Sequence, residues 1–299
     1  MLSYGGGLLP PDAIILNITL DPNTRLTLTT QGSTKIFPSS SITIPSSSAP
    51  SAVPPKASQT LTARLGDHSA LLVAPDPIQP FARSCYEQKQ IFTLAPTASL
   101  CLLDWVVEGR RARGESWLAG SWRGRNEIWR EFNTVADVAA DGLPSPGGAA
   151  AKENVLMLRD AVLLDGGPAG PGQSSLKREN MGVFGTIILA GPLFERLGQL
   201  FLTEFNALPR IGGRRWDDDE DESDSSAEAE RKLQTWRKVR LAREKSDVVI
   251  WTAAMVRGSV VVKFGSAEIE GAKRWIESMW RWDGTVEEEL GVGGMMCLR

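Results

Sequence analysis

Histidine is nearly absent: His68 is the single imidazole in 299 residues. Histidine is the commonest general base and transition-metal ligand, so a two-histidine metal centre cannot be assembled from this chain alone, and a Ser-His-Asp triad would have to be built on His68. His68 itself lies in Gly66-Asp67-His68-Ser69, a turn sequence, and reads as a solvated turn residue. Cysteine is scarce too. Cys85, Cys101 and Cys297 are too few and too scattered for a disulfide framework and suit a reducing cytoplasm. Cys85 and Cys101 fall in β-patterned segments, as buried inert thiols do. No run approaches ~18 apolar residues, so no membrane span is expected. The first residues, Met1-Leu2-Ser3-Tyr4-Gly5, carry neither the basic nor the apolar region of a signal peptide. No excess of one charge exists either. The formal net charge is -3, which argues against a nucleic-acid partner.

What is present resembles a catalytic signature only at first sight. Gln31-Gly32-Ser33-Thr34-Lys35 suggests a phosphate loop, but the glycine spacing is wrong and the lysine follows the Ser-Thr pair. Pro38 and a run of serines come next, where a phosphate loop would open a helix.

The N-terminal half reads as β. Ile14, Leu16, Ile18 and Leu20 alternate with a second set, the period of a half-buried strand. A faint repeat runs through Leu20–Leu26, Leu65–Leu71 and Leu94–Leu100, each a strand end, a short polar turn and a new strand. The second and third copies start 29 residues apart and the first and second 45. The excess fits inside a Ser/Pro-rich insertion over 38–58, and without it the period is regular. The spacing therefore predicts layered β-coils, each turn burying its face on the next; a β-sandwich would give a similar pattern. Residues 144–151 and 166–175 are Gly/Pro/Ala/Ser loops. Leucines and phenylalanines at helical spacing predict an amphipathic helix over 193–208. An acidic run over 217–228 reads as a disordered solvated loop. A charged helix follows over 228–245, with Leu233, Trp236 and Leu241 on its apolar side. Residues 247–263 return to β, and Ile269, Ala272, Ile276 and Met279 mark another amphipathic helix. The fold class is mainly β with a few α-helices late in a single domain over 1–299.

Several blocks, in order, carry a resemblance. They are Leu2–Leu8 with Asp12, Thr29–Lys35, Ala74–Pro77, Pro80-Phe81, Leu103-Asp104-Trp105, Gly109-Arg110, Arg113–Glu115, Arg125–Glu127, Trp251–Ala254 and Val260–Lys263. Together they resemble the urease accessory protein UreD family, called UreH in some bacteria. The resemblance spans nearly the whole chain. The insertion at 38–58 and the acidic run are additions of the kind expected in fungal or plant members. Family members carry a segment before the Gly-Gly-Gly block, so an N-terminally truncated form is expected.

The resemblance implies a β-helix-like fold with a helical layer from the C-terminal part. It implies a non-catalytic metallochaperone scaffold, required for nickel insertion into apo-urease, acting with UreF and, through UreF, the GTPase UreG. Nickel would cross the protein in transit, with no tightly bound cofactor. Hard oxygen ligands suit a relay that must release its metal. The candidate path residues are Asp12, Asp104, Glu115 and Asp160. Each has a structural alternative: Asp12 fixing the turn after Pro10-Pro11, Asp104 accepting from Arg110 or Arg113, Glu115 pairing with Arg113, and Asp160 ending a strand. Trp236 and Trp275 are candidate partner contacts, Trp275 alternatively core. Two rival functions are a generic β-rich protein-binding module and a hydrolase using Asp104 and Glu115 as an acid–base pair.

Overall fold

The computed structural model describes residues 6–38, 55–134, 151–165, 180–208 and 224–299. Its first hundred residues wind three similar turns. The first turn is β1 (Gly7–Leu8), β2 (Ala13–Leu20) and β3 (Arg25–Leu28). The second is β4 (Thr34–Ile36), β5 (Ala57–Leu65) and β6 (Ala70–Val73). The third is β7 (Ile78–Pro80), β8 (Cys85–Leu94) and β9 (Ser99–Val107). Corresponding strands pair in parallel. The repeat legible in the sequence is the register: Leu20 faces Leu65, which faces Leu94, and Leu26 faces Leu71, which faces Leu100. A leucine at each strand end stacks on its equivalent in the next turn, as layered coils require. His68 sits in the second turn's corner with φ 56° and is exposed, as the sequence suggested.

The coil then changes character. β10 (Ser121–Thr134) adds to β8 in parallel, and β11 (Ala151–Asp165) returns antiparallel along it. β12 (Val183–Ala190) lies antiparallel to β9, followed in the sheet by β14 (Ser259–Ser266) and β13 (Ile250–Val256). β13 and β14 join through Arg257-Gly258, both at positive φ, the geometry that matches the twist of a two-residue hairpin. The result is two facing sheets. Among the described residues, one has nine strands and the other five, in the order β11-β10-β8-β5-β2. The parallel coil and the sandwich are thus both present, in sequence.

Leu61, Phe92, Leu100, Leu102, Ile128 and Ile188 fill one end of the space between the sheets, and Tyr86, Val106, Trp122 and Leu164 the other. On the outer face of the nine-stranded sheet, Cys101, Leu103, Trp105, Trp251 and Phe264 meet a helical layer. That layer is α1 (Glu195–Asn206), α2 (Asp224–Ser246), α3 (Ile269–Asp283) and α4 (Thr285–Leu290). α1 and α3 bury Leu197, Phe201, Ala272, Trp275, Ile276 and Met279, at the spacing expected for one helical face. Trp275 is therefore core, while Trp236 stacks on the 39%-exposed Trp282 at 4.6 Å between ring centroids. All three cysteines are free and buried.

Three segment boundaries shift. Ala57 and Ser58, assigned to the Ser/Pro insertion, already belong to β5, where Ala57 pairs with Tyr86 of β8 and Ser58 with Glu87 of β8 and Ala13 of β2. Residues 224–228 of the acidic segment are the first turn of α2, whose Ala and Glu are good helix formers. Of the rest of both segments, 39–54 and 217–223 lie outside the described residues, as do 144–150 and 166–175; Ala151 opens β11. Leu241 is exposed, not inward: the inner line of α2 runs through Trp236, Arg240 and Glu244.

Gly185 shows how tightly the sheet meets its helical layer. A Cβ there would lie 2.3 Å from the Phe264 ring and 2.8 Å from the Trp105 Cβ. Both rings are buried and cannot swing away. Gly185→Ala should therefore cost about 1–3 kcal/mol in a urea titration, through overpacking; an unchanged midpoint would contradict this packing.

Candidate functional site

β9 runs through the middle of the nine-stranded sheet, and all nine of its residues are buried. Side chains alternate along it, so Leu100, Leu102, Asp104 and Val106 face the other sheet. Asp104 thus falls between the two apolar clusters at 8% exposure. A carboxylate there must be hydrogen-bonded. Its Oδ1 accepts from Gln88 Nε2 at 2.9 Å and its Oδ2 from Asn126 Nδ2 at 2.7 Å. Asp104 is the acceptor the sequence suggested, but its donors are buried amides on the facing sheet, not Arg110 or Arg113.

The partners extend into a row. Gln90 donates to the Asn126 Oδ1 at 3.0 Å. The Tyr86 hydroxyl lies 3.2 Å from both Gln88 Oε1 and Gln59 Oε1 and donates to one at a time. On the other side, Thr186 is the cross-strand neighbour of Asp104, and Lys263 that of Thr186. Lys263 Nζ reaches Thr186 Oγ1 at 2.8 Å and Asp160 Oδ1 at 2.5 Å. The Thr186 hydroxyl lies 3.4 Å from Asp160 Oδ2. Asp160 in turn is the cross-strand neighbour of Asn126. A file of polar side chains therefore crosses the sandwich between its two apolar clusters. It runs from half-buried Gln59, through Tyr86, Gln88, Asp104 and Asn126, to Thr186, Asp160 and Lys263. The Lys263 and Asp160 side chains keep 29% and 14% of their surface, so that end meets solvent.

Burial pushes the Asp104 carboxyl up from the ordinary carboxylate range, and the Asp160 charge adds to this; the Asn126 and Gln88 N–H groups and the Lys263 ammonium oppose it. Burial likewise raises the Tyr86 hydroxyl, with Asp104 contributing, so Tyr86 remains a donor at neutral pH. The row offers two carboxylates, amide and hydroxyl oxygens and one ammonium, all hard groups. Among the described residues, no group of three or more His, Cys, Asp or Glu side chains could hold a metal tightly.

Of the four sequence candidates, the structure brings Asp104 and Asp160 into this one network. Asp160 is not a strand end; it lies within β11, paired with Lys263. The other two belong elsewhere. Asp12 closes its own turn: Oδ2 accepts the Leu9 N–H at 2.9 Å, and its N–H donates to Leu9 O. Glu115 braces the β9–β10 connection. Oε1 accepts from the Arg110 side chain, through Nε at 2.9 Å and through Nη2, and Oε2 takes the Ala82 and Arg110 N–H groups. Its partner is Arg110 and not Arg113, because the 3-10 turn over Arg111–Arg113 folds Glu115 back onto the residue before it. Arg110 also lies 4.2 Å from the Phe81 ring centroid.

The Arg110 side-chain hydrogen bonds hold the Glu115 carboxyl below its ordinary range, with the two backbone donors adding to this. A depressed carboxyl stabilises the fold above its unfolded pKa, and that share is lost as pH falls through the folded value. Glu115→Gln should lower the unfolding midpoint at pH 7 by roughly 2–4 °C. The gap should narrow as pH falls below the ordinary carboxylate range; a gap that does not change with pH would contradict the assignment.

The residues that sequence reasoning missed are Gln59, Tyr86, Gln88, Gln90, Asn126, Thr186 and Lys263. A signal existed for two of them. Gln88 and Gln90 share the parity of Phe92 and Leu94 in β8, so they occupy core positions.

The family model for the UreD urease accessory protein matches residues 1–292. Urease accessory protein D of Arabidopsis thaliana is 35% identical over 131 residues, 44% of this chain and 40% of that protein. Urease accessory protein 4 of Cryptococcus neoformans var. grubii is 40% identical over 139 residues, 43% of this chain and 42% of that protein. A Schizosaccharomyces pombe protein described as an uncharacterized urease accessory protein, ureD-like, is 27% identical over 281 residues, 92% of this chain and 78% of that protein. The aligned part thus spans less than half the length of the first two relatives. With the match running through both sheets and the helical layer, this chain belongs to the UreD urease accessory protein family.

Proposed function

We propose that the chain is a non-catalytic scaffold of urease maturation that passes nickel toward apo-urease while bound to UreF and, through UreF, to the GTPase UreG. The observation that carries the transit reading is the polar file between the sheets. Moving a divalent cation through an apolar interior is prohibitive unless oxygen dipoles and counter-charges line the way. Asp160 at the solvent end and Asp104 in the middle supply the charge. Gln88, Asn126 and Thr186 supply neutral oxygens. Hard donors hold a borderline divalent ion weakly enough to let it go. Asp12 and Glu115 have no part in this path. The work is assigned to the cytoplasm, where three buried thiols stay reduced. No helix among the described residues is long and apolar enough to cross a membrane.

A hydrolase built on Asp104 and Glu115 gains no support, since the two carboxylates sit in separate hydrogen-bond networks with different partners.

The partner half of the reading is tested by co-expression with UreF and UreG from one organism, followed by affinity capture and mass measurement of the complex. A complex containing all three chains is expected. Capture of UreF and UreG together without this chain would overturn it.

A further inference from the structure

At the end of the sandwich opposite Tyr86 and Trp122, the structure holds a cavity of about 430 Å³ that the polar file does not use. It opens where the Pro96 turn, β10, β11, β12 and the β13–β14 hairpin meet. Its floor is apolar: Ile128, Leu189, Phe194 and Val260 are all buried there, with Met157 and Met255 on the walls. Its cations are Arg130 and Arg257.

Neither arginine has a carboxylate partner among the described residues. Arg130 Nη1 donates to Ala95 O at 3.2 Å and Pro96 O at 2.6 Å, and Arg257 Nη1 donates to Leu156 O at 3.1 Å. Carbonyl oxygens satisfy these N–H groups but leave both positive charges unbalanced. Burial pulls the Arg130 guanidinium below its ordinary range, as expected for a cation removed from water without a counter-ion. Among the described residues, Glu195 at the first turn of α1 is the one acid on the lining, against two guanidiniums, so this lining carries a net positive charge. A volume in this range, apolar walls and a few charged groups describe a small-molecule site. The charge sign selects an anion, and a guanidinium fork matches a carboxylate.

The geometry points to a binding site for a small aliphatic monocarboxylate, its chain on Ile128, Met157, Leu189 and Phe194 and its carboxylate between Arg130 and Arg257. This site is independent of the proposed nickel path. The six-carbon acid hexanoate is the probe, titrated into the full chain labelled with carbon-13 at its methionine methyl groups, beside hexanol and hexylamine. Met157 and Met255 should shift saturably with hexanoate, weakly with hexanol and not with hexylamine. Arg257→Gln, on an exposed hairpin corner, should weaken hexanoate about tenfold. Met255→Glu, which places an anion at the mouth, should abolish binding. Hexanol binding as tightly as hexanoate would overturn the proposal. So would shifts confined to methionines elsewhere, or an Arg257→Gln affinity equal to wild type.

Discussion

Glu204→Ala should destabilise the protein by about 3–5 kcal/mol, the cost of removing the shared carboxylate from a buried ion-pair network. Glu204 is 1% exposed on α1. Its carboxylate accepts from Arg237 Nε and Nη2 at 3.0 and 2.7 Å and from Arg240 Nη2 at 2.8 Å. Arg240, itself 3% exposed, also donates to Glu244 at 2.5 Å, and Glu244 accepts the Trp275 indole N–H of α3 at 3.0 Å. This chain of charges ties α1, α2 and α3 together. It matters most for α2. Over residues 228–246, Arg240 and Glu244 are that helix's only buried side chains, while Val239 and Leu241 face solvent. A helix without an apolar stripe has little hydrophobic attachment to lose. Removing Glu204 strips Arg237 of its carboxylate and leaves buried Arg240 with Glu244 alone, a partner on its own helix, so α2 should detach before the sheets unfold. Hydrogen exchange should then accelerate in α2 while the β9 and β12 amides stay protected. A loss below 1 kcal/mol, with α2 protection unchanged, would show that packing alone holds the helix.

Asp104→Ala and Asp104→Asn should separate structure from transit. The alanine variant leaves the Gln88 and Asn126 amides without their acceptor and should cost about 2–4 kcal/mol. The asparagine variant keeps the shape and one acceptor oxygen and should cost less. The two also differ in pH dependence from wild type in a direction set by burial. Because the folded state raises the Asp104 carboxyl, that group's contribution favours the fold below its unfolded pKa and is lost as pH rises through the folded value. Asparagine has no such term. Asp104→Asn should therefore gain on wild type as pH rises from about 4 to 7, measured by urea midpoints across that range. A variant that instead loses ground over those pH values would mean that Asp104 is stabilised as the anion.

Much of the coil was legible, because its register is written in leucines. Leu20, Leu65 and Leu94 end equivalent strands, and the turn after each has a polar residue at its third position, Asn23, His68 and Thr97. The amphipathic α3 was equally plain, since Ile269, Ala272, Ile276 and Met279 keep helical spacing. β10 and β11 were not read from the sequence. Trp122, Gly124, Asn126 and Ile128 alternate with Arg123, Arg125, Glu127 and Trp129, so neither face looks apolar. The mixture has a cause: Asn126 is a core residue recruited to Asp104, and Glu127 is buried under Arg159. Asp104 itself stood out as a carboxylate in an apolar strand. Its neighbours did not: parity with Phe92 and Leu94 puts Gln88 on the inner face of β8, but nothing in the sequence says which buried acid it meets there. Only the pairing of β8, β9 and β10 across two sheets makes Gln88 and Asn126 its partners. Asp12 and Glu115 were candidates for their charge alone, and local backbone geometry assigns each to its own turn.

The central claim is that carboxylates between the sheets carry nickel and do not merely hold the fold. The direct test is nickel per urease active site, measured by metal analysis of urease matured with the Asp104→Asn/Asp160→Asn double variant, with yield of the UreF-containing complex measured in the same preparation. The expected result is a complex yield equal to wild type and a nickel content reduced at least about tenfold, since both charges that offset the cation's desolvation are gone. Intact complex with fully loaded urease would contradict the account.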